Sequence, residues 1–218
     1  ETRCHDRADG RLRWSRGIKP DAIEEFHRSD GSPAASTPAT DGRHVVSYFG
    51  SFGLICPDLD GRELWRHPLP LAESGGKFGT GTSPIIVGNR VLLNRDQYQY
   101  SSLLAVEVET GATIWETPRP DASGSFGTPV LWPNAGVDEI VLAGSARLKG
   151  YDLKSGAERW VVDGVTGTVC TTPVALITGR SDGRYSSTSV DETRATSSVS
   201  PGAGVPPSTS ARVSASTA

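Results

Sequence analysis

The chain has 218 residues, a formal net charge of −3, 36% hydrophobic residues, 25 Gly and 15 Pro. That balance suits many short strands joined by turns, and it gives no electrostatic reason to expect nucleic acid or an anionic membrane as partner. The longest apolar runs, Pro84-Ile85-Ile86-Val87 and Val91-Leu92-Leu93, are strand-sized, far below the roughly 20 residues of a membrane helix.

Residues 1–7 are charged and hold no apolar segment, so no export signal is visible. The chain begins without Met, and its start reads as truncated. The first element with a signature follows at once, as Gly10 with Trp14 four residues later. The same pair returns as Gly61 with Trp65, Gly111 with Trp115 and Gly156 with Trp160, the tryptophans lying 51, 50 and 45 residues apart. A second marker precedes a strand in each unit: Thr37-Pro38, Ser83-Pro84, Thr128-Pro129 and Thr172-Pro173. Its prolines lie 46, 45 and 44 residues apart. Two markers advancing in step define a structural repeat of about 45 residues.

Within the clearest unit, strands are expected over 84–88, 90–94, 102–109 and 112–117. Gly88-Asn89 is a hairpin turn, since both residues tolerate positive φ. Leu104, Val106 and Val108 alternate with Ala105, Glu107 and Glu109, the period-2 pattern of a sheet. The expected fold is therefore all-β, a partial β-propeller of four-stranded antiparallel blades over residues 1–178. Complete blades fall at about 38–66, 84–116 and 129–161. The last strand of a preceding blade lies near 11–16, and a following blade starts at 172. A helical solenoid lacks its 3.6-residue stripes here, and a sandwich has no reason to fix Trp at one offset. Trp14, Trp65, Trp115 and Trp160, with Gly10, Gly61, Gly111 and Gly156, are expected to dock neighbouring blades, because a flat indole fills the wedge between two sheets.

The segment into each Trp carries a family likeness. Residues 105–115 read Ala-Val-Glu-Val-Glu-Thr-Gly-Ala-Thr-Ile-Trp, which resembles the repeat of the pyrroloquinoline-quinone (PQQ)-like β-propellers, Ala-Leu-Asp-x-x-Thr-Gly-x-x-x-Trp. Residues 150–160 and 4–14 fit in the same register, and 56–65 fit with one residue deleted. The resemblance runs from about residue 4 to 175. It implies an eight-bladed ring, for which this chain is a fragment, since eight units of about 45 residues need roughly 360. It also implies an extracytoplasmic, periplasmic setting. The sequence is closer to non-catalytic members, such as an outer-membrane assembly lipoprotein, than to the quinoprotein dehydrogenases.

Chemistry is hard to find. The catalytic branch of the family, by resemblance, needs PQQ, Ca²⁺, an Asp base and a vicinal Cys-Cys pair, and Cys4, Cys56 and Cys170 contain no such pair. Cys4 and Cys56 occupy the small-residue position shared with Ala105 and Gly150. Asp58-Leu59-Asp60-Gly61 mimics the opening of a calcium loop but has Leu69 where the twelfth-position Glu belongs. It reads as the turn before a last strand. His5, His27, His44 and His67 share no zinc spacing. No catalytic, cofactor or metal residue is assigned, and no cofactor is expected.

The candidate ligand face follows from topology: Thr37, Ser83, Thr128 and Thr172 beside the channel, with Phe26, Phe78 and Phe126 on the connecting loops that precede them. Each Phe alternatively covers its own blade edge. Asp96-Gln97-Tyr98-Gln99-Tyr100 is a further polar–aromatic loop. The expected role is a non-catalytic scaffold that binds a protein or a surface polymer, completed by further blades of its own propeller. The alternatives are a PQQ- and calcium-dependent dehydrogenase whose site lies in other blades, and a sensor domain of a larger protein. Residues 179–218 are rich in Ser, Thr, Ala, Gly and Pro; disorder is expected there, as a flexible linker or as the product of a shifted reading frame.

Overall fold

The computed structural model describes residues 1–29, 31–134, 136–165, 170–174, 178–179 and 185–186. Three four-stranded antiparallel sheets follow one another along the chain. The first holds β3 (Ala39–Thr40), β4 (Val45–Phe49), β5 (Gly53–Pro57) and β6 (Glu63–Pro68); the second holds β7 (Ile85–Val87), β8 (Arg90–Arg95), β9 (Ser102–Glu107) and β10 (Thr113–Pro118). The third holds β11 (Val130–Asn134), β12 (Val137–Gly144), β13 (Arg147–Asp152) and β14 (Glu158–Asp163). Each is an up-and-down meander with neighbours paired in sequence order. Ahead of them, β1 (Thr2–His5) pairs with β2 (Leu12–Arg16) as the outer two strands of another blade. The architecture is that of partial propeller blades. Among the described residues no helix is long and apolar enough to cross a membrane.

Blade boundaries shift slightly from the sequence expectation. Each first strand begins one residue after its proline, which has no N–H to donate to a ladder. β9 ends at Glu107 rather than Glu109, because Glu107 closes the turn: its N–H donates to Ala112 O at 2.8 Å and its carbonyl accepts from Gly111 N–H at 2.8 Å. The tail expected from 179 lies outside the described residues, apart from β15 (Thr178–Gly179) paired with β16 (Tyr185–Ser186), where only three tail residues are seen.

The alternation inside a blade distributes side chains to its two neighbours. Val91, Leu93, Leu104, Val106 and Val108 join Val46, Tyr48, Leu54 and Cys56 in one core between the first and second complete blades. The opposite face of the same strands, Leu92, Leu103 and Ala105, joins Ile140, Leu142, Tyr151 and Leu153 in the next core. Middle strands are thus buried on both faces, which is why β8 and β9 read as nearly continuous apolar runs. A third, smaller cluster of Val141, Ala143 and Leu148 carries Trp132, Trp160 and Val162 at its edge.

The indoles join the blades. Trp14 Nε1 donates to Leu59 O at 2.8 Å, Trp65 Nε1 to Val108 O at 2.8 Å, and Trp115 Nε1 to Leu153 O at 3.2 Å, each time in the final turn of the following blade. The ring lies on the glycine of that turn. A Cβ at Gly61 would sit 2.6 Å from Trp14 Cγ, one at Gly111 2.6 Å from Trp65 Cε3, and one at Gly156 2.5 Å from Trp115 Cε3. These glycines also hold φ of 81°, 72° and 72°, a region costly for any residue with a Cβ. Two residues beyond each Trp a side chain ties down the same glycine carbonyl: Arg16 to Gly61, His67 Nδ1 to Gly111 O at 2.8 Å, and Thr117 Oγ1 to Gly156 O at 2.7 Å.

Every last strand bulges just before its Trp. The register slips between Cys4 and His5, Cys56 and Pro57, Thr113 and Trp115, and Gly150 and Tyr151, so that Trp14, Trp65, Trp115 and Trp160 stand opposite Cys4, Cys56, Ala105 and Gly150. A bulge re-aims a side chain, and the small partner leaves room for the indole. Gly111→Ala is expected to destabilise the protein by about 2–4 kcal/mol, overpacking Trp65 and straining φ together. Gly42→Ala, with φ 88° but open space at its Cβ, is expected to cost only about 1–2 kcal/mol. Denaturant midpoints of the two variants check this: equal losses would remove the indole from the account.

Candidate functional site

In an up-and-down blade, the connections between blades and the middle hairpins emerge on one face. Here they are residues 17–38, 69–84 and 119–129, together with the β4–β5, β8–β9 and β12–β13 hairpin loops. Beneath them runs a chain of hydrogen bonds from blade to blade. Thr37 N–H donates to Ser83 Oγ at 2.9 Å, and Ser83 N–H donates to Thr128 Oγ1 at 3.2 Å. One residue earlier, Ser36 Oγ donates to Thr82 O at 2.6 Å and Thr82 Oγ1 to Gly127 O at 3.2 Å. The structure brings Thr37, Ser83 and Thr128 together as links between first strands; Thr172 is exposed.

The three phenylalanines take different positions. Phe26 lies against Gly79, where a Cβ would be 3.2 Å from its own, and Phe126 covers Gly81, at 2.9 Å from ring atom Cδ1. They flank the Gly79–Thr82 segment from two sides. Phe78 is 49% exposed and faces His27, ring centroids 6.2 Å apart. Among the described residues the three do not pair with one another in an aromatic ring contact.

Gly79–Thr82 help to line a small cavity of about 10 Å³, with Tyr48, Ser74, Arg95, Gln97, Ser125 and Phe126 among its other walls, room for about one water. Glu24 is buried beside the lining residue Thr80, 1% exposed; it accepts a bond from Thr80 Oγ1 at 3.0 Å, and its Oε2 has no hydrogen-bond partner. Burial pushes its carboxyl up to about 7 despite the Thr80 hydroxyl, because desolvation disfavours the charged form. Arg95 is also buried; its guanidinium donates to Pro70 O at 2.9 Å, and Nε is unpartnered. No sequence signal marked Glu24 or Arg95: Glu24 stands beside Glu25 in a polar loop, and Arg95 stands at the polar end of β8.

A second buried network roots the β8–β9 loop. Arg119 grips Asp96 with two bonds, Nε to Oδ1 at 2.7 Å and Nη2 to Oδ2 at 3.0 Å, and also donates to Tyr151 OH. Ser125 Oγ donates to the same carboxylate. The pair is almost wholly removed from solvent, with side chains 1% and 0% exposed. It ties the second complete blade to the third.

The remaining candidates resolve structurally. Asp58 Oδ1 accepts N–H bonds from Asp60 and Arg62, so the calcium-like run is a turn held by its own carboxylate. Cys56 is buried, and burial raises its thiol to about 12, far from a nucleophile. His44 Nδ1 meets Asp41 at 2.8 Å on the opposite face. Among the described residues no group of three or more His, Cys, Asp or Glu is placed to hold a metal.

Meander blades joined by an indole on the next blade's glycine, with a Gly-x-x-x-Trp segment at each joint, define a PQQ-like propeller repeat protein. Residues 1–174 match the family described as "Outer membrane protein assembly factor BamB", and the chain belongs to that PQQ-like repeat family. Among solved structures it is similar to BamB from Moraxella catarrhalis, with 19% identity and a TM-score of 0.50 over 65% of this chain and 44% of that one. It is also similar to a europium-containing methanol dehydrogenase, with 11% identity and a TM-score of 0.52 over 80% of this chain and 40% of that one. At such identities the likeness is one of fold, and the chain spans under half the length of either structure. No curated protein sequence matches it.

Two consequences are measurable. With the Glu24 carboxyl raised from 4.5 to about 7, the folded state binds the proton more tightly than the unfolded one. The contribution of Glu24 is then fully present below about pH 4.5, falls as pH rises toward 7, and is level above it. Glu24→Gln is expected to remove that slope and to stabilise the protein at pH 8 by on the order of 2–3 kcal/mol. Urea midpoints at pH 5 and pH 8 test it; a wild type equally stable at both removes the buried carboxyl. Arg119→Leu is expected to cost about 3–5 kcal/mol by stranding Asp96, and Arg119→Leu with Asp96→Leu to recover much of it, read in the same assay.

Proposed function

We propose that this chain is part of a non-catalytic PQQ-like propeller, a rigid scaffold whose loop face binds a protein or a surface polymer outside the cytoplasm. The observation that carries this reading is the donor set. The dehydrogenase branch, which the family resemblance keeps as the alternative with its site in other blades, needs adjacent cysteines and a cluster of side-chain oxygens for Ca²⁺. Here the cysteines stand at 4, 56 and 170, and of the two buried carboxyls beneath the loop face Asp96 is engaged by Arg119 and Ser125, which leaves Glu24 alone rather than in a cluster. These residues do not fit a quinone–calcium site, so no reaction step is derived through one.

The matching family's description, an assembly factor of the outer membrane, supports both a binding role and an extracytoplasmic setting. The loop face supports the binding role as well, because its connections rest on a bonded ladder of first strands, and exposed loops on a rigid scaffold are where recognition concentrates.

The test uses the full open reading frame. PQQ and Ca²⁺ are titrated into the purified protein, with tryptophan quenching as the binding signal and alcohol- or sugar-dependent dye reduction as the activity. The expected outcome is neither saturable quenching nor turnover. Saturable turnover would overturn the scaffold reading in favour of a dehydrogenase.

A further inference from the structure

The connection from β2 to β3, residues 17–38, holds no helix or strand among its described residues. Irregular runs longer than about 12–15 residues are uncommon in compact domains and are usually functional segments or linkers. The first part of this one, residues 17–29, is sunk into the protein at a single point. Glu24 is its only buried residue; every other is half-buried or exposed.

The seat under Glu24 is built from two neighbouring loops. Glu24 N–H donates to Ser51 Oγ of the β4–β5 hairpin at 3.0 Å, and Thr80 Oγ1 donates to Glu24 Oε1 at 3.0 Å. The carboxyl rests on the backbone of Gly50, where a Cβ would lie 2.6 Å from both Glu24 Cδ and Thr80 Cγ2. Gly50 is not among the glycines of positive φ. The room it leaves, rather than its turn, is what calls for glycine there.

This seat suits a neutral carboxyl. Glu24 Oε2 has no hydrogen-bond partner, and Thr80 alone opposes the desolvation of the charged form. Of the ionisable groups packed nearby, β4 contributes Tyr48 and β8 contributes Arg95. Burial raises the Tyr48 phenol, Arg95 opposes that, and the Glu24 charge adds to it. On its own segment Asp21, His27 and Arg28 are exposed. Glu25 meets Lys77 of the next connection at 3.1 Å, both well exposed, and such a pair holds little.

Ionised, Glu24 needs donors that the seat lacks. Lifting residues 17–29 returns the charge to water and leaves the blade cores whole, since none of these residues belongs to them. We propose that residues 17–29 form a proton-gated strap, which protonated Glu24 holds on Gly50 and Thr80 and whose opening ionised Glu24 favours. Opening uncovers Thr80, a wall of the small cavity that Tyr48 and Arg95 also line. The device goes beyond the scaffold reading and stands without it, because no partner enters it.

Its test is amide exchange at residue 24, read by NMR on the full chain in wild type and Glu24→Gln. With the carboxyl raised from 4.5 to about 7, the closed strap binds the proton more tightly than the open one. Its advantage is full below about pH 4.5 and is lost as pH rises toward 7. At pH 8 the wild type should open on the order of 100-fold more often than Glu24→Gln, and at pH 5 within about fivefold of it. Equal exchange of the two at pH 8 would overturn the strap. So would exchange at residue 24 no faster than in β8 and β9, because the carboxyl would then be freed only by global unfolding. The wild type alone supplies a readout that needs no variant. Beyond the intrinsic pH dependence of exchange, opening should gain about tenfold per pH unit between roughly pH 5 and 7 and level off above. A flat profile would overturn the strap, whatever the loop face binds.

Discussion

The seating of an indole on a neighbouring blade's glycine is the contact on which the rest of this structure depends. Blades in a propeller share no strand pairing, so their mutual orientation rests on side chains alone. One large flat ring accomplishes three things at each joint: it fills the wedge, donates a hydrogen bond into the next turn, and fixes how close the sheets come by resting on a residue without a Cβ. The companion side chain two residues later closes the glycine carbonyl from above. That this companion is Arg16, His67 or Thr117 indicates a demand for a donor at that point rather than for a particular residue. With the joints set this way, the cores on either side of β8 and β9 follow, because alternating side chains meet a partner sheet on each face.

Most of this was legible in the sequence because the joint repeats. Gly10 to Trp14 and its three successors, advancing in step with the Thr/Ser-Pro marker, specified blades, strand order and the all-β class. What was not legible is informative. The glycine reads in sequence as a turn residue, and its φ agrees; that it is also a seat for the preceding blade's ring depends on a contact 41 to 47 residues away. The bulge before each Trp was equally hidden, since one extra residue in a ladder leaves no mark on an alternating pattern four residues long. At the loop face the difficulty is greater. Glu24 precedes a second glutamate in a polar loop and Arg95 closes the apolar strand β8, and only burial distinguishes them from solvated charges. Thr37, Ser83 and Thr128 were placed near the channel from topology, but the bonds that join them run from backbone to side chain across blades, and no local pattern encodes such a pairing.

Buried polar groups set the character of the loop face. A carboxylate–guanidinium pair removed from water gains little net stability over apolar packing, because desolvation offsets its Coulomb attraction. Asp96 and Arg119 nonetheless sit together with Ser125 and Tyr151, and the geometry suggests why. The network joins the root of the β8–β9 loop, the end of β10 and the strand β13 of the next blade, three elements that apolar contacts alone would allow to slide. Gly144 belongs to this device: a Cβ there would lie 2.6 Å from Asp96 Oδ2 and 2.9 Å from Arg119 Nη2. Directional bonds at this point convert a packed joint into a fixed one.

The last described blade separates what the repeat motif encodes from what the joint requires. Gly156 to Trp160 has the same spacing and the same bulge as the others, and Gly156 seats Trp115 as expected of its position. Trp160 behaves differently. Its ring folds over Gly150 on its own blade, its N–H donates to Glu139 Oε2 at 2.6 Å, and Trp132 meets it edge-on with ring centroids 5.8 Å apart. Two residues on, Val162 stands where the other blades place a donor. Gly150 permits this inward fold, whereas Cys4, Cys56 and Ala105 at the equivalent positions carry a Cβ opposite their tryptophans. The Gly-x-x-x-Trp segment therefore supplies both halves of a joint, a seat facing backward and a ring facing forward, and each half is completed only by a neighbouring blade. A motif found in one blade is evidence about two interfaces.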